Sequence, residues 1–470
     1  MDDHGTTLRG RDLWLAVGIV VLAAVLRWYR LVEWDMWTDE VQTLWTATSG
    51  QFKEGPMYRT APVNFWLTGI AASLFGADEL GLRIVPYLAG VATVAVFLWS
   101  VARWFGTKVA LFGGLLLALS MWHVAWSQTG RHFALQTLLV LLALHFLLVS
   151  WIGGRAWGGW VSALVLLAGI FTHSSTVFFL AAFLSFFGVG WLAAMAGEAE
   201  RRPSVWARGA LPYVAVVAIY VPILFLVGRY LVANKQAWNP PYNIIGSLAF
   251  YLPPWLLLTA LAGVFVLAAT RRIHLGVLLA LQFIVPAALV TISSGITIAS
   301  AAYCLASLPA LAILFGVAMN WLIERAAHRP VRWAAVAIAA GLYLTATSEL
   351  AHYYFVYNGL KPRWKDAIAF VADRRAEGEA FFAVEGDVPQ YYLGRGEADW
   401  YGRAPDHPDV DAWYAVYLSG TVPGSLSQQY RTLLGEAELI QVFPVHYGAK
   451  DRSLAIFRRS ADEGLENEQP

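Results

Sequence analysis

Over its first 350 residues the chain alternates apolar runs with short polar loops. An α-helix needs about 20 apolar residues to span a hydrocarbon core about 30 Å thick. The runs predict eleven crossings, near 12–31, 84–102, 108–126, 131–150, 157–173, 176–195, 210–229, 247–269, 276–293, 299–322 and 332–350. The stretch from Ala61 to Phe75 is apolar but short, and is expected to lie along or dip into the outer leaflet. From about Tyr357 the pattern turns polar. Trp364 to Val371 has helical period, Ala380 to Val384 and Trp413 to Leu418 read as strands, Gln428 to Leu434 as helix, and apolar runs follow at Leu439 to Val445 and Leu454 to Phe457. The reading is a mainly α polytopic membrane protein with a small C-terminal extracytoplasmic α/β domain. Its parts are a membrane domain 1–356 with a first external loop 33–83, the α/β domain 357–459, and a disordered acidic tail 460–470.

Composition agrees: 58% hydrophobic residues, 14% charged and a mean hydropathy of +0.54 exceed what a soluble core needs. The net charge of +1 decides nothing by itself, but the basic residues sit in short loops between apolar runs, which argues against a nucleic-acid partner. The single cysteine, Cys304, lies inside an apolar run, so there is neither a disulfide framework nor a cysteine metal site. No small-residue cleavage site follows the first run, which continues into Arg27-Trp28-Tyr29-Arg30 and reads as a retained anchor.

Lys and Arg of short loops stay on the cytoplasmic side. One set of alternate loops holds Arg9, Arg11, Arg103, Lys108, Arg155, Arg201, Arg202, Arg208, Arg271, Arg272, Arg325, Arg329 and Arg332, and the other, beyond the opening loop, little more than Arg131, Arg229 and Lys235. The N-terminus is therefore expected inside. Asp39-Glu40, the Gln128 to His132 turn, His173 and the tail from about 351 are expected outside.

At that outer face Trp37-Thr38-Asp39-Glu40 follows the first crossing. An ionised carboxylate there can take the proton of an attacking hydroxyl. A lipid phosphate leaving group needs cations, and Lys53, Arg59, Arg83 and Arg131 share the face, Arg being favoured by its fork geometry. Each piece also has a plain structural reading. Asp39-Glu40 can be a solvated helix start. Arg27 and Arg30 can snorkel to the interface. Glu79 and Arg83 can be an i,i+4 helix pair, and Arg131 and His132 can cap the next helix. His173 can be a structural hydrogen bonder, and the many Trp residues an interfacial belt.

The run Leu26-Arg27-Trp28-Tyr29-Arg30-Leu31 with Trp37-Thr38-Asp39-Glu40 resembles the opening of the bacterial relatives of protein O-mannosyltransferases and of the lipid A aminoarabinose transferase, glycosyltransferases of the GT-C fold. Ala61-Pro62-Val63 through Leu74-Phe75-Gly76, Glu79-Leu80-Gly81-Leu82-Arg83, Ser127-Gln128-Thr129-Gly130-Arg131-His132-Phe133-Ala134-Leu135 and Thr172-His173 follow in order. Weaker similarities lie at Tyr303 with Leu308-Pro309-Ala310, and at Pro362 to Ala367.

The resemblance implies an inverting transferase in the bacterial inner membrane. Its donor would be a sugar on a polyprenyl phosphate, and its acceptor a lipid, a glycan or a protein. Asp39 would match the acidic residue that deprotonates the acceptor, with Glu40 in support. Lys53, Arg59, Arg83 and Arg131 would serve the phosphate, Glu79 and Arg83 would brace the loop, and Trp37, Tyr58, Glu79, Gln128, His132 and His173 would line the cavity.

The chain departs from the family at Thr60-Ala61-Pro62, where a His or Lys usually precedes two prolines, at Gln42 where relatives have Arg, and at Ala302 where an Arg often precedes the Tyr. A divalent cation, Mg or Mn, is left open, since some members of the fold need one and no ligand cluster here specifies a site. Two other classes remain: a catalytically weak sugar-lipid binding or scaffold protein, and a lipid-linked sugar transporter. The latter would place its polar residues near the bilayer midplane rather than at one surface.

Overall fold

The structure is a computed structural model that describes residues 8–50, 58, 61–199, 201–233, 240–296, 299–326, 328–400, 410–418, 437–447 and 450–461. It forms two compact units, Met1–Leu31 with Phe52–Leu350, and Val32–Gln51 with Ala351–Pro470.

The first unit opens with α1 (Gly10–Trp28), and α2 (Thr38–Thr48) belongs to the second. The first then continues through α3 (Val63–Phe75), α4 (Glu79–Phe105), the pair α5 (Thr107–Leu119) and α6 (Met121–Ser127), α7 (Phe133–Trp151), α8 (Ala156–Thr172), α9 (Val177–Met195) and α10 (Pro203–Ala233). It ends with the pair α11 (Pro241–Tyr251) and α12 (Pro254–Ala269), then α13 (Ile273–Ser294), α14 (Leu308–Arg325) and α15 (Arg329–Phe355). Among the described residues seven helices are long and apolar enough to cross a membrane, or nine if the pairs, bent by 60° and 82°, each count as one span. The chain is a multi-pass membrane protein. Every expected crossing coincides with one of these spans, with α1 or with α8, and α3 has only 13 residues.

Burial sorts the helices. Leu308 to Met319 of α14 are buried without interruption, so this helix is apolar all round and runs through the middle of the unit, packed on α5 and α12. Trp14, Leu74, Phe225 and Leu344 point outward, as suits a surface solvated by lipid tails. α4 starts before its apolar run because Asp78 caps it, accepting from the backbone N–H groups of Leu80 and Gly81 at 3.0 Å each.

The second unit contains α16 (Trp364–Ala372), β1 (Ala380–Ala383), α17 (Asp387–Leu393), β2 (Asp399–Trp400), β3 (Ala412–Tyr417), β4 (Glu438–Phe443), a small ladder of β5 (His446–Tyr447) with β6 (Lys450–Asp451), and β7 (Leu454–Arg459). The main sheet runs β2-β1-β3-β7-β4, with β1 parallel to both β2 and β3 and with β7 antiparallel to β3 and β4. α16 buries Trp364, Ala367, Ile368 and Val371, the helical spacing read from the sequence. The Gln428 to Leu434 stretch and residues 462–470 lie outside the described residues.

The sequence reading cuts the chain at 356/357 and gives the whole loop 33–83 to the membrane part, whereas Val32–Gln51 folds with the C-terminal unit. The two segments interlock. Trp34 is 1% exposed and stacks on Tyr354 at 6.3 Å. Gly359 faces its ring with φ +64°, and a Cβ there would come within 2.6 Å of the indole. Only glycine meets both demands.

Candidate active site

Within the second unit the helix bearing Asp39 is held by groups far along the chain. The N-cap of α2 is Trp37, whose side chain makes no cap bond. The N–H of Thr38 instead donates to Glu385 Oε2 at 3.1 Å. Glu385 Oε1 accepts from the Tyr417 hydroxyl at 2.5 Å, and burial together with Glu385 pushes that hydroxyl well above its ordinary range. Gln42 Nε2 donates to Asp387 Oδ2 at 2.7 Å, and the Met36 N–H donates to the Tyr392 hydroxyl at 3.1 Å.

In return, Asp35 accepts from the Lys365 N–H at 2.6 Å at the start of α16. Burial raises the Asp35 carboxyl above the usual carboxylate value, although Lys365 and Asn358 pull the other way. Each segment thus caps a helix of the other.

The two adjacent acids part company here. Glu40 is fully buried and ion-paired with Lys361, itself 6% exposed, whereas Asp39 is half-buried in the first turn. Expected to act beside Asp39 in the chemistry, Glu40 is committed to Lys361 instead, because an acid inside a core requires a cation. Trp37 is half-buried at the head of the same helix.

In the membrane unit Arg27 is not a snorkelling interface residue. It is completely buried, with Nη1 donating to Ala23 O at 3.1 Å and Ala118 O at 3.2 Å, and Nη2 to Leu117 O at 3.2 Å and His123 Nδ1 at 2.6 Å. The break at Ser120 leaves the last carbonyls of α5 without helical partners. Inside a bilayer they need another donor, and Arg27 supplies it.

Gln128, expected in the cavity wall, is buried as well. Its Nε2 donates to Arg27 O at 2.9 Å and Tyr29 O at 2.6 Å, closing the end of α1. Arg83, expected at the donor phosphate, is fully enclosed and donates to Leu31 O at 2.9 Å. A guanidinium sealed from solvent in this way ties the start of α4 to the end of the first crossing. Glu79 is half-buried in the first turn of α4, where the helix dipole favours an acid.

Arg131, His132 and His173 do gather. Arg131 is half-buried and immediately precedes His132, whose ring stacks on that of His173 with centroids 3.7 Å apart and planes 5° from parallel. His173 Nδ1 accepts from the Ser175 N–H at 3.2 Å and lies 2.8 Å from its hydroxyl, and Gln136 donates to that hydroxyl at 3.0 Å. His132 Nε2 is buried without a hydrogen-bond partner among the described residues. The Tyr303 ring lies 5.2 Å from His173.

Elsewhere in this unit an apolar cavity of about 440 Å³ opens between the α11–α12 bend and α13, lined by Leu248, Leu252, Leu257, Phe283, Ala287 and Ile292. Tyr58 rests 5.5 Å from Phe65, while Lys53 and Arg59 lie outside the described residues. Among the described residues no group of three or more His, Cys, Asp or Glu could hold a metal ion.

Sequence reasoning missed Glu385, Asp387, Lys361 and the buried role of Arg27. The signal available was the Glu385-Gly386-Asp387 triplet just after a predicted strand.

Residues 59–224 match the family described as dolichyl-phosphate-mannose-protein mannosyltransferase. ArnT from Cupriavidus metallidurans, solved with undecaprenyl phosphate, superposes with a TM-score of 0.58 at 16% identity, covering 97% of this chain and 99% of that one. The Archaeoglobus fulgidus oligosaccharyltransferase solved with Zn and sulfate gives 0.56 at 12% identity over 82% of this chain and 62% of its own. The oligosaccharyltransferase AglB of the same organism, with an inhibitory peptide and dolichol-phosphate, gives 0.54 at 11% identity over 86% and 69%. The fold is therefore the ArnT-like GT-C fold, as the resemblance implied. A local likeness, 43% identity over 82 residues, connects 16% of the chain to the multidrug resistance protein MdtL of Shewanella oneidensis, and the chain spans 20% of that protein's length.

Proposed function

We propose that the protein is an integral membrane glycosyltransferase that moves a hexosyl or pentosyl group, with inversion, from a polyprenyl-phosphate carrier to a hydroxyl of a lipid, glycan or protein. The observation that carries this reading is end-to-end likeness to a fold solved with undecaprenyl phosphate, together with Asp39 on a purpose-held helix. The acceptor oxygen attacks the anomeric carbon opposite the phosphate, and its proton passes to the Asp39 carboxylate. The carbon–oxygen bond to the phosphate breaks, and polyprenyl phosphate leaves with the electron pair. One displacement inverts the centre.

Arg131 is the cation for the leaving phosphate, with His132 and His173 beside it, and the apolar cavity at Phe283 and Ala287 suits an isoprenoid tail. Lys53 and Arg59 remain candidates for the same charge. No step is assigned to a divalent cation. The distribution of Arg among the loops supports a cytoplasmic N-terminus, with Asp39 on the outer side of a bacterial inner membrane.

Purified protein in proteoliposomes, offered a set of polyprenyl-phosphate sugars and an envelope extract, should yield a glycoside whose anomeric configuration by NMR is opposite to that of the donor. Retention, or hydrolysis alone, would contradict the mechanism. The local likeness to MdtL favours a second reading, a lipid-linked sugar transporter. Movement of labelled donor across the bilayer without any glycoside formed would support it.

A further inference from the structure

Strand order in the C-terminal sheet reverses at β1. The chain leaves β1 through α17 to β2 on one side, while β3 lies on the other. Both neighbours are parallel to β1, and in open sheets of this kind ligands bind outside the carboxyl ends of the strands at the point of reversal. Glu385 follows the end of β1 and Tyr417 ends β3, so these two residues mark that place. Glu385 holds the first turn of α2 there, the turn that carries Asp39, and is itself held by Tyr417.

We propose that Glu385 is a positioning residue for Asp39, fixing its helix against the sheet so that the carboxylate meets the acceptor hydroxyl. The inference rests on the transferase reading above.

Three observations carry it beyond an ordinary cap. A helix N-terminus is most simply capped by Ser, Thr, Asp or Asn at the N-cap itself, which stabilises the helix wherever it lies. Here Trp37 occupies that position and the cap comes from a carboxylate 347 residues away, which ties the helix to one place. The carboxylate is itself fixed at its other oxygen by the Tyr417 hydroxyl. Finally, the turn presenting it presses on β2. A Cβ on Gly386 would lie 2.8 Å from Trp400 N, so glycine at this position lets Glu385 and Asp387, on either side of it, both reach α2.

A misplacement of about 1 Å can cost about 100-fold in rate. Glu385→Ala is expected to lower kcat about 10- to 100-fold while leaving KM for the polyprenyl donor within about twofold. Glu385→Gln, which keeps an acceptor oxygen for Thr38, should restore most of the loss. Amide hydrogen exchange over 38–41 should quicken in the alanine variant and not in the glutamine one. Arg375→Ala, which removes an ion pair with Glu397 in the same unit, serves as the folding control and should leave both readouts unchanged. Unchanged exchange over 38–41 in Glu385→Ala, unchanged kcat, or equal losses in the control would overturn the proposal. Full transfer by Asp39→Asn would instead remove the general base, a failure separately visible from the exchange result.

Discussion

Lys361 and Glu40 form an ion pair within the C-terminal unit with both side chains closed to solvent, which fixes α2 to the segment that follows α15. Breaking such a pair from one side leaves a buried charge unmatched, at about 3–5 kcal/mol, whereas replacing both ends can be nearly neutral. Lys361→Met should therefore lower the unfolding midpoint strongly, and Lys361→Met with Glu40→Leu should recover most of it. A double-mutant cycle measured by denaturant unfolding in detergent micelles checks this, and strictly additive losses would show that the pair is not coupled.

Arg27 and His123 make the corresponding contact in the membrane unit. The guanidinium reaches three carbonyls and one imidazole with two nitrogens set in a plane, a geometry that an ammonium does not reproduce. Arg27→Lys should behave as a disruptive change, melting at a lower temperature and losing most transfer activity, because the carbonyls at the α5–α6 break depend on the guanidinium. A lysine variant with wild-type melting temperature and rate would remove this role.

Acid should loosen the C-terminal sheet at one identifiable place. Burial pushes the Glu379 carboxyl up, but hydrogen bonds from Trp413 at 2.6 Å, Ala376 at 2.9 Å and Arg458 at 2.5 Å outweigh it and hold the group below the usual carboxylate range. A carboxyl depressed on folding contributes stability above its unfolded value, near pH 4.5, and loses it as pH falls through the folded value. Melting temperature should therefore fall below about pH 4.5, and Glu379→Gln should flatten that fall while lowering the plateau at pH 7. Parallel pH profiles for wild type and variant would contradict the assignment.

The crossings were legible because a hydrocarbon core imposes one length on every spanning helix, and α4 and α9 follow that ruler. Asp39 stood out because an acidic pair directly after the first crossing, at the face that also holds Arg59, Arg83 and Arg131, matches the opening motif of the resembled family. What the one-dimensional pattern could not supply was partnership over hundreds of residues. Nothing local marks Arg83 as enclosed or Glu40 as answering Lys361, and the division at Val32–Gln51 follows from those pairings rather than from hydropathy. Trp37 in the N-cap was a readable anomaly, a helix start without its own cap, and Glu385 resolves it.

The most direct test compares wild type with Asp39→Asn for transfer of radiolabelled sugar from polyprenyl phosphate to envelope acceptors in proteoliposomes. The asparagine keeps the shape and removes the base, so the account expects transfer by the wild type, a loss of at least about 100-fold in the variant, and donor binding little changed. Equal transfer by both proteins would contradict it.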